Sequence, residues 1–138
     1  MQRGNIILPY SLHDMRISAM KAEGNTLTLL FENGFLKVGD PCEQVEGHLR
    51  FDFVDWDFSI VYLYDGFDEE GRFSGRQLML LDFIDLFPNV QFEVVEEAYG
   101  YNSSKFTGFL SLGEDIRQLT LEIYHLGSMN YITDDEEE

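Results

Sequence analysis

Apolar side chains recur at every second position along most of this chain, and that period sets its fold class. Successive side chains of an extended strand point to opposite faces, so strict alternation marks a strand with one buried side. Leu27, Leu29 and Phe31 alternate in "TLTLLFENGFLKV", and Met15, Ile17 and Ala19 do so just upstream. Val90, Phe92 and Val94, then Leu119, Leu121 and Ile123, repeat the pattern further on. "KFTGFLSL" reads as a strand interrupted by Gly108, and "MNYIT" as a last edge strand. The period changes once. Leu80, Phe83, Ile84 and Phe87 fall on one helical face, and Pro88 stands where such a helix stops. The pattern predicts a mainly β (α+β) fold: an antiparallel β-sandwich or a curled, partly closed sheet of about eight or nine strands with one short helix.

Turn residues predict the first connections. Glu23–Asn25 can join two strands, and Asn33 and Gly34 accept the positive φ of a type I′ hairpin turn. A two-residue loop there sets Phe31 opposite Leu36 and Leu29 opposite Val38. The expected result is a three-stranded meander from Leu12 to Val38.

A chain of 138 residues with no repeat or linker reads as one domain over residues 1–133, followed by an acidic tail at 134–138. Its 12 Phe and 7 Tyr can fill a core, which argues against disorder. A lone cysteine, Cys42, precludes an internal disulfide and fits a reducing, cytoplasmic setting. "MQRGNIILPYSLHDM" lacks the apolar run of a signal peptide, and no window approaches the ~18 apolar residues of a membrane span.

Charge narrows the function. The chain holds 9 Lys+Arg against 26 Asp+Glu, net -17, and five of those acids lie in the tail, so the body itself is acidic. Direct binding of nucleic acid needs clustered cations to neutralise phosphates, and anionic membranes need them too. Both are disfavoured. A basic protein partner is the natural complement, through steering and complementarity. Acidity that serves solubility alone is the competing account.

The densest alternation of acids and aromatics is "RFDFVDWDFSIVYLYD", Arg50 to Asp65. Its apolar phase slips by one at Phe53-Val54, as a β-bulge would cause; a tight turn near Asp55 is the alternative. With a bulge, Asp52, Asp55 and Asp57 form a row opposite the aromatics, neighbours about 7 Å apart. Paired catalytic carboxylates need a cleft and unequal environments, which one exposed face does not provide. The row is then the wet side of a strand or a strip that meets a partner.

Other chemistry finds no support in the spacing. His13, His48 and His125 form no HxxH or HExxH, and CxxC is absent, so neither a metal nor a cofactor is implied. His13 shares the phase of Met15 and Ile17, and His125 that of Leu121 and Ile123, so each is expected to be half-buried with a hydrogen-bond partner. "DGFDEEG" misses the EF-hand spacing. There is no G-x-S-x-G elbow, and the acids near Cys42 work against a reactive thiolate. No enzyme motif emerges. In "EAYGYNSSKF", Tyr99 and Tyr101 among small polar residues have the composition of a recognition loop; packing on the core rim is the alternative.

"LPYSLHDMRI" followed by "LTLLFENGFLKV" resembles the start of small acidic bacterial α+β proteins with an N-terminal "LHD" strand, among them immunity proteins of polymorphic toxin systems. The resemblance covers the first third of the chain, matches His13 and Asp14, and carries over no functional residue. It implies a cytoplasmic, non-enzymatic binding protein. The expectation is an acidic protein that engages a basic partner, a toxin or a nucleic-acid-binding enzyme, through Asp52, Asp55, Asp57, Tyr99 and Tyr101. A small-ligand or enzymatic site inside the sheet, with His13 or His125 as polar groups, is the second class.

Overall fold

The computed structural model describes residues 9–39, 42–67 and 73–133. Strands form at the alternating segments, but the described residues hold twelve against the eight or nine expected, because short pieces at Tyr10–Ser11 and Glu43–Val45 also pair and the Arg50–Asp65 pattern is broken by a turn. In chain order these are β1 (Tyr10–Ser11), β2 (Arg16–Glu23), β3 (Thr26–Phe31), β4 (Phe35–Lys37), β5 (Glu43–Val45) and β6 (Gly47–Phe51). A 3-10 turn at Trp56–Phe58 precedes β7 (Ile60–Phe67) and β8 (Phe73–Met79). Helix α1 (Leu80–Leu86) follows, then β9 (Phe92–Gly100), β10 (Ser103–Leu112), β11 (Asp115–Tyr124) and β12 (Met129–Thr133).

Nine strands form one antiparallel sheet in the order β12-β6-β3-β2-β9-β10-β11-β7-β8, and β1-β4-β5 form a smaller one. The large sheet is nearly two. Strands β2 and β9 pair at Arg16↔Glu93 and Ile17↔Phe92, and Val94 bonds the backbone of Asp14 and Met15 just before β2. About that narrow join the two halves fold face to face, so Phe51 of β6 meets Phe106 of β10 with ring centroids 6.3 Å apart. Leu27, Leu29, Leu49, Leu63, Leu119, Leu121 and Ile123 are fully buried between the faces. The architecture is sandwich-like and not closed.

Helix α1 matches its pattern: Leu80 and Phe83 are buried, Ile84 and Phe87 pack against the core, and the helix ends before Pro88. The Gly24 turn between β2 and β3 is formed, with Gly24 at φ 60, and β12 is the edge strand expected of "MNYIT".

The Asn33-Gly34 hairpin is not formed. Gly34 takes the left-handed φ of 70 but Asn33 does not, and a type I′ turn needs both. Strand β4 therefore leaves β3 and pairs with β1 and β5 instead. A Cβ on Gly34 would overlap the Val45 carbonyl, so glycine is required there for a close approach rather than for a hairpin.

A second irregularity re-aims a strand. The β9–β10 register shifts between Thr107 and Gly108, leaving Val95 as the extra residue. Parity reverses beyond it, so Glu97 pairs with the buried Phe106 and shares its inward side. Gly108 permits this because a Cβ there would overlap the Glu93 carbonyl.

Candidate functional site

Two segments carry the chain between the halves: residues 52–59, from β6 to β7, and residues 125–128, from β11 to β12. They lie side by side. The Asp52 N–H donates to the Ser128 carbonyl at 3.0 Å, the Leu126 N–H to Phe53 at 2.9 Å and the Gly127 N–H to Asp52 at 3.0 Å. Val54 and His125 form a bridge. Phe53 takes a φ of 52, a left-handed conformation that costs a non-glycine residue about 1–2 kcal/mol. A Cβ on Gly127 would lie 2.7 Å from the Asp52 carbonyl oxygen and 2.8 Å from Phe53 Cδ2, so glycine lets the second segment come this close.

This corner replaces the expected bulge. Beyond Phe53 the Asp55 carboxylate accepts the Asp57 N–H at 3.1 Å and caps the 3-10 turn, in keeping with the alternative of a turn near Asp55. Ser59 is fully buried; its hydroxyl donates to the Asp55 carbonyl at 2.9 Å and accepts the Tyr124 N–H at 3.1 Å. Strand β7 then buries Val61 and Leu63, while Ile60 and Tyr62 take the other face. The aromatics assigned to an inner face are thus released outward, because a strand broken at Phe53 does not preserve its phase.

The three aspartates do not form a row. Asp52 is engaged internally, accepting from Arg50 Nε at 3.2 Å and from Asn130 Nδ2 at 3.1 Å. Asp55 spends one oxygen on its cap, and Asp57 is exposed. Among the described residues no cation pairs with either. Around them stand Phe53, Phe58 and Leu126, which are 63%, 64% and 63% exposed. Trp56 is half-buried, its indole N–H donating to the Gly24 carbonyl at 2.8 Å. Phe53, Trp56 and Leu126 line a surface cleft of about 340 Å³ with Asn25, Asp55 and Asp57. A neighbouring hollow shares Asp55 and Leu126 and adds Phe58 and Tyr124.

Tyr99 and Tyr101 part company. Tyr101 is 92% exposed in the β9–β10 turn. That turn lies at the corner end of the molecule, because the Asn102 carbonyl accepts the His125 N–H at 2.9 Å. Tyr99 lies beyond the β9 bulge, packs on Phe106 with centroids 5.9 Å apart and donates its hydroxyl to Glu97 at 2.6 Å. The other Glu97 oxygen accepts the Leu12 N–H at 2.9 Å. Burial, reinforced by that hydrogen bond, pushes the Tyr99 phenol well above its ordinary value. Tyr131, half-buried nearby, is pushed up to about 12 by burial of its hydroxyl and by the charge of Glu97.

The histidines also diverge. His125, expected to be half-buried with a hydrogen-bond partner, is buried and has two partners; Nδ1 donates to the Gly127 carbonyl at 2.9 Å, and Nε2 meets the Ser104 hydroxyl at 2.8 Å. A carbonyl only accepts, so Nδ1 carries a proton, and Nε2 shares its hydrogen bond with the Ser104 hydroxyl. The pair has the spacing of a nucleophile and its base, but Ser104 and His125 are 2% and 8% exposed, and the pair braces the corner from within. His13, expected to be half-buried, is exposed beside Asp14 at 3.1 Å in the turn before β2. The two histidines lie at opposite ends of β9, next to Val94 and Asn102, and do not converge on one interior site.

Among the described residues no group of three His, Cys, Asp or Glu is placed to hold a metal ion, and no helix is long and apolar enough to cross a membrane. The acidic loop at 68–72 and the tail at 134–138 lie outside the described residues. Comparison with protein-family models, curated proteins and solved structures finds no match.

Sequence reasoning selected Asp55, Asp57 and Tyr101 but assigned Trp56 and Phe58 to the interior and passed over Leu126. The phase slip at Phe53-Val54 was the available signal for the aromatics. Leu126 carried none, since only the pairing of two distant segments brings it out.

Proposed function

We propose that this chain is a non-enzymatic acidic binding protein that engages a basic protein partner through the corner built by residues 52–59 and 125–128. The observation that carries the reading is three large apolar side chains held outward beside two carboxylates with no cation partner among the described residues. Soluble proteins seldom gather exposed apolar groups this way without an interaction to serve. A net charge of -17 steers a cationic surface towards the molecule, and the apolar groups supply contact once it arrives. Neutralisation of a basic toxin is the concrete form of this function; occlusion of a nucleic-acid-binding enzyme uses the same chemistry on another target.

The test compares two charge reversals of equal size. Asp55→Lys with Asp57→Lys alters the corner, and Glu114→Lys with Asp115→Lys alters the β10–β11 turn at the opposite end. Capture of a basic partner from the source cell at low and high salt is the readout. The expected result is capture that weakens as salt rises and is lost only in the corner variant. Capture insensitive to salt, or reduced equally by both reversals, overturns the corner reading.

A further inference from the structure

The corner cleft differs from a general acidic surface in one respect: aromatic walls and carboxylates without a cation among the described residues share the same small volume. Phe53 and Trp56 line it together with Asp55 and Asp57, and Leu126 closes one side. Trp56 is pinned through its indole N–H to Gly24, and the backbone bonds of the corner fix the point from which the Phe53 ring projects. Asp55 is likewise fixed by accepting the Asp57 N–H on one oxygen, and among the described residues no cation pairs with it.

The two common cations fit such a site differently. Lysine presents a compact, strongly hydrated charge that gains little from an aromatic wall. Arginine presents a planar, weakly hydrated guanidinium that stacks on aromatic faces while its N–H groups reach carboxylates. Resting on the reading of the corner as the docking surface, we infer that the cleft receives an arginine side chain of the partner. The guanidinium lies against Phe53 and Trp56 and donates to Asp55 and Asp57. Phe58 and Leu126, exposed in the adjoining hollow, meet the apolar groups that flank that arginine.

The chain contains a single tryptophan, so Trp56 fluorescence reports on the cleft alone. The full chain is titrated at low ionic strength with tri-arginine and tri-lysine peptides, which carry equal charge. The arginine peptide is expected to change Trp56 emission saturably and to bind about 5-fold more tightly than the lysine peptide, the size of a modest cation–π preference. Asp57→Asn and Phe53→Ala, both at exposed positions, are each expected to weaken the arginine peptide several-fold. Equal affinity for the two peptides overturns the inference while leaving a basic partner in place. A silent Trp56, with partner capture still lost on corner charge reversal, also overturns it. So does binding unchanged by both substitutions. Failure of the docking reading shows itself separately, as capture indifferent to the corner reversal.

Discussion

Two places in this molecule interleave carboxylates with aromatic rings, and they use them in opposite ways. Around Glu97 the rings of Tyr99 and Phe106 turn inward, and both oxygens of the carboxylate are occupied by the Tyr99 hydroxyl and the Leu12 N–H. At the corner, Phe53 and Phe58 turn outward, and Asp57 has no cation partner among the described residues. One backbone irregularity decides each case. The extra residue at Val95 reverses the parity of β9 and sends Glu97 inside, whereas the left-handed φ at Phe53 ends the strand and sends the rings outside. A carboxylate with both oxygens occupied inside holds the fold together. A carboxylate left without a partner at the surface is available to something else.

Removing each carboxylate probes that contrast most strongly. Glu97→Ala strands the buried Leu12 N–H and the Tyr99 hydroxyl, at about 1–3 kcal/mol for each buried group left unsatisfied, so urea unfolding is expected to show a loss of about 3 kcal/mol. Asp57→Ala is expected to stay within about 0.5 kcal/mol of the parent, as a surface change away from structural features does. Comparable losses in the two variants would erase the distinction.

Alkali separates the regions at a smaller scale. Tyr131 ionises only at about 12 in the folded chain, against an ordinary 10. Below the ordinary value both states hold the proton and the contribution is complete. As pH rises from 10 towards 12 the unfolded chain ionises first, so the folded state loses stability through that window. Tyr99, raised in the same direction, adds to the fall. Urea midpoints recorded at increasing pH should decline there, and Tyr131→Phe should flatten the decline. A profile that Tyr131→Phe leaves unchanged would place the alkaline sensitivity elsewhere.

The smallest effect has an unusual sign. Phe53 is 63% exposed and adopts a conformation that glycine takes freely. Phe53→Gly should therefore raise stability by up to about 1 kcal/mol, the relief of left-handed strain less the entropy of a new glycine. Partner capture should fall in the same variant. Thermal unfolding and capture measured on one preparation would show whether the corner holds strain for the sake of its surface, and a destabilised Phe53→Gly would mean that the ring is structural.

The helix was legible because Leu80, Phe83, Ile84 and Phe87 need only local spacing to define a face, and Pro88 ends it by steric rule. The β2–β3 hairpin was legible for the same reason. The Asn33-Gly34 turn failed because its residues permit a hairpin without requiring one, and the partner of β4 was chosen by packing against Val45 and Tyr10 rather than by the turn. Of the candidate site, the carboxylates and Tyr101 could be read directly, since charge and turn residues are local properties. The outward aromatics could not, since alternation assigns faces only while a strand continues.

By itself the sequence determined an antiparallel, β-rich fold with one helix and a strongly acidic chain, because period and charge are properties of the chain alone. Tertiary structure decided where the large sheet folds over, which carboxylates are engaged within the described residues, and which rings face water. Each of these depends on hydrogen bonds between segments more than 70 residues apart, Asp52 with Ser128 and Phe53 with Leu126 among them, and no local pattern carries that pairing.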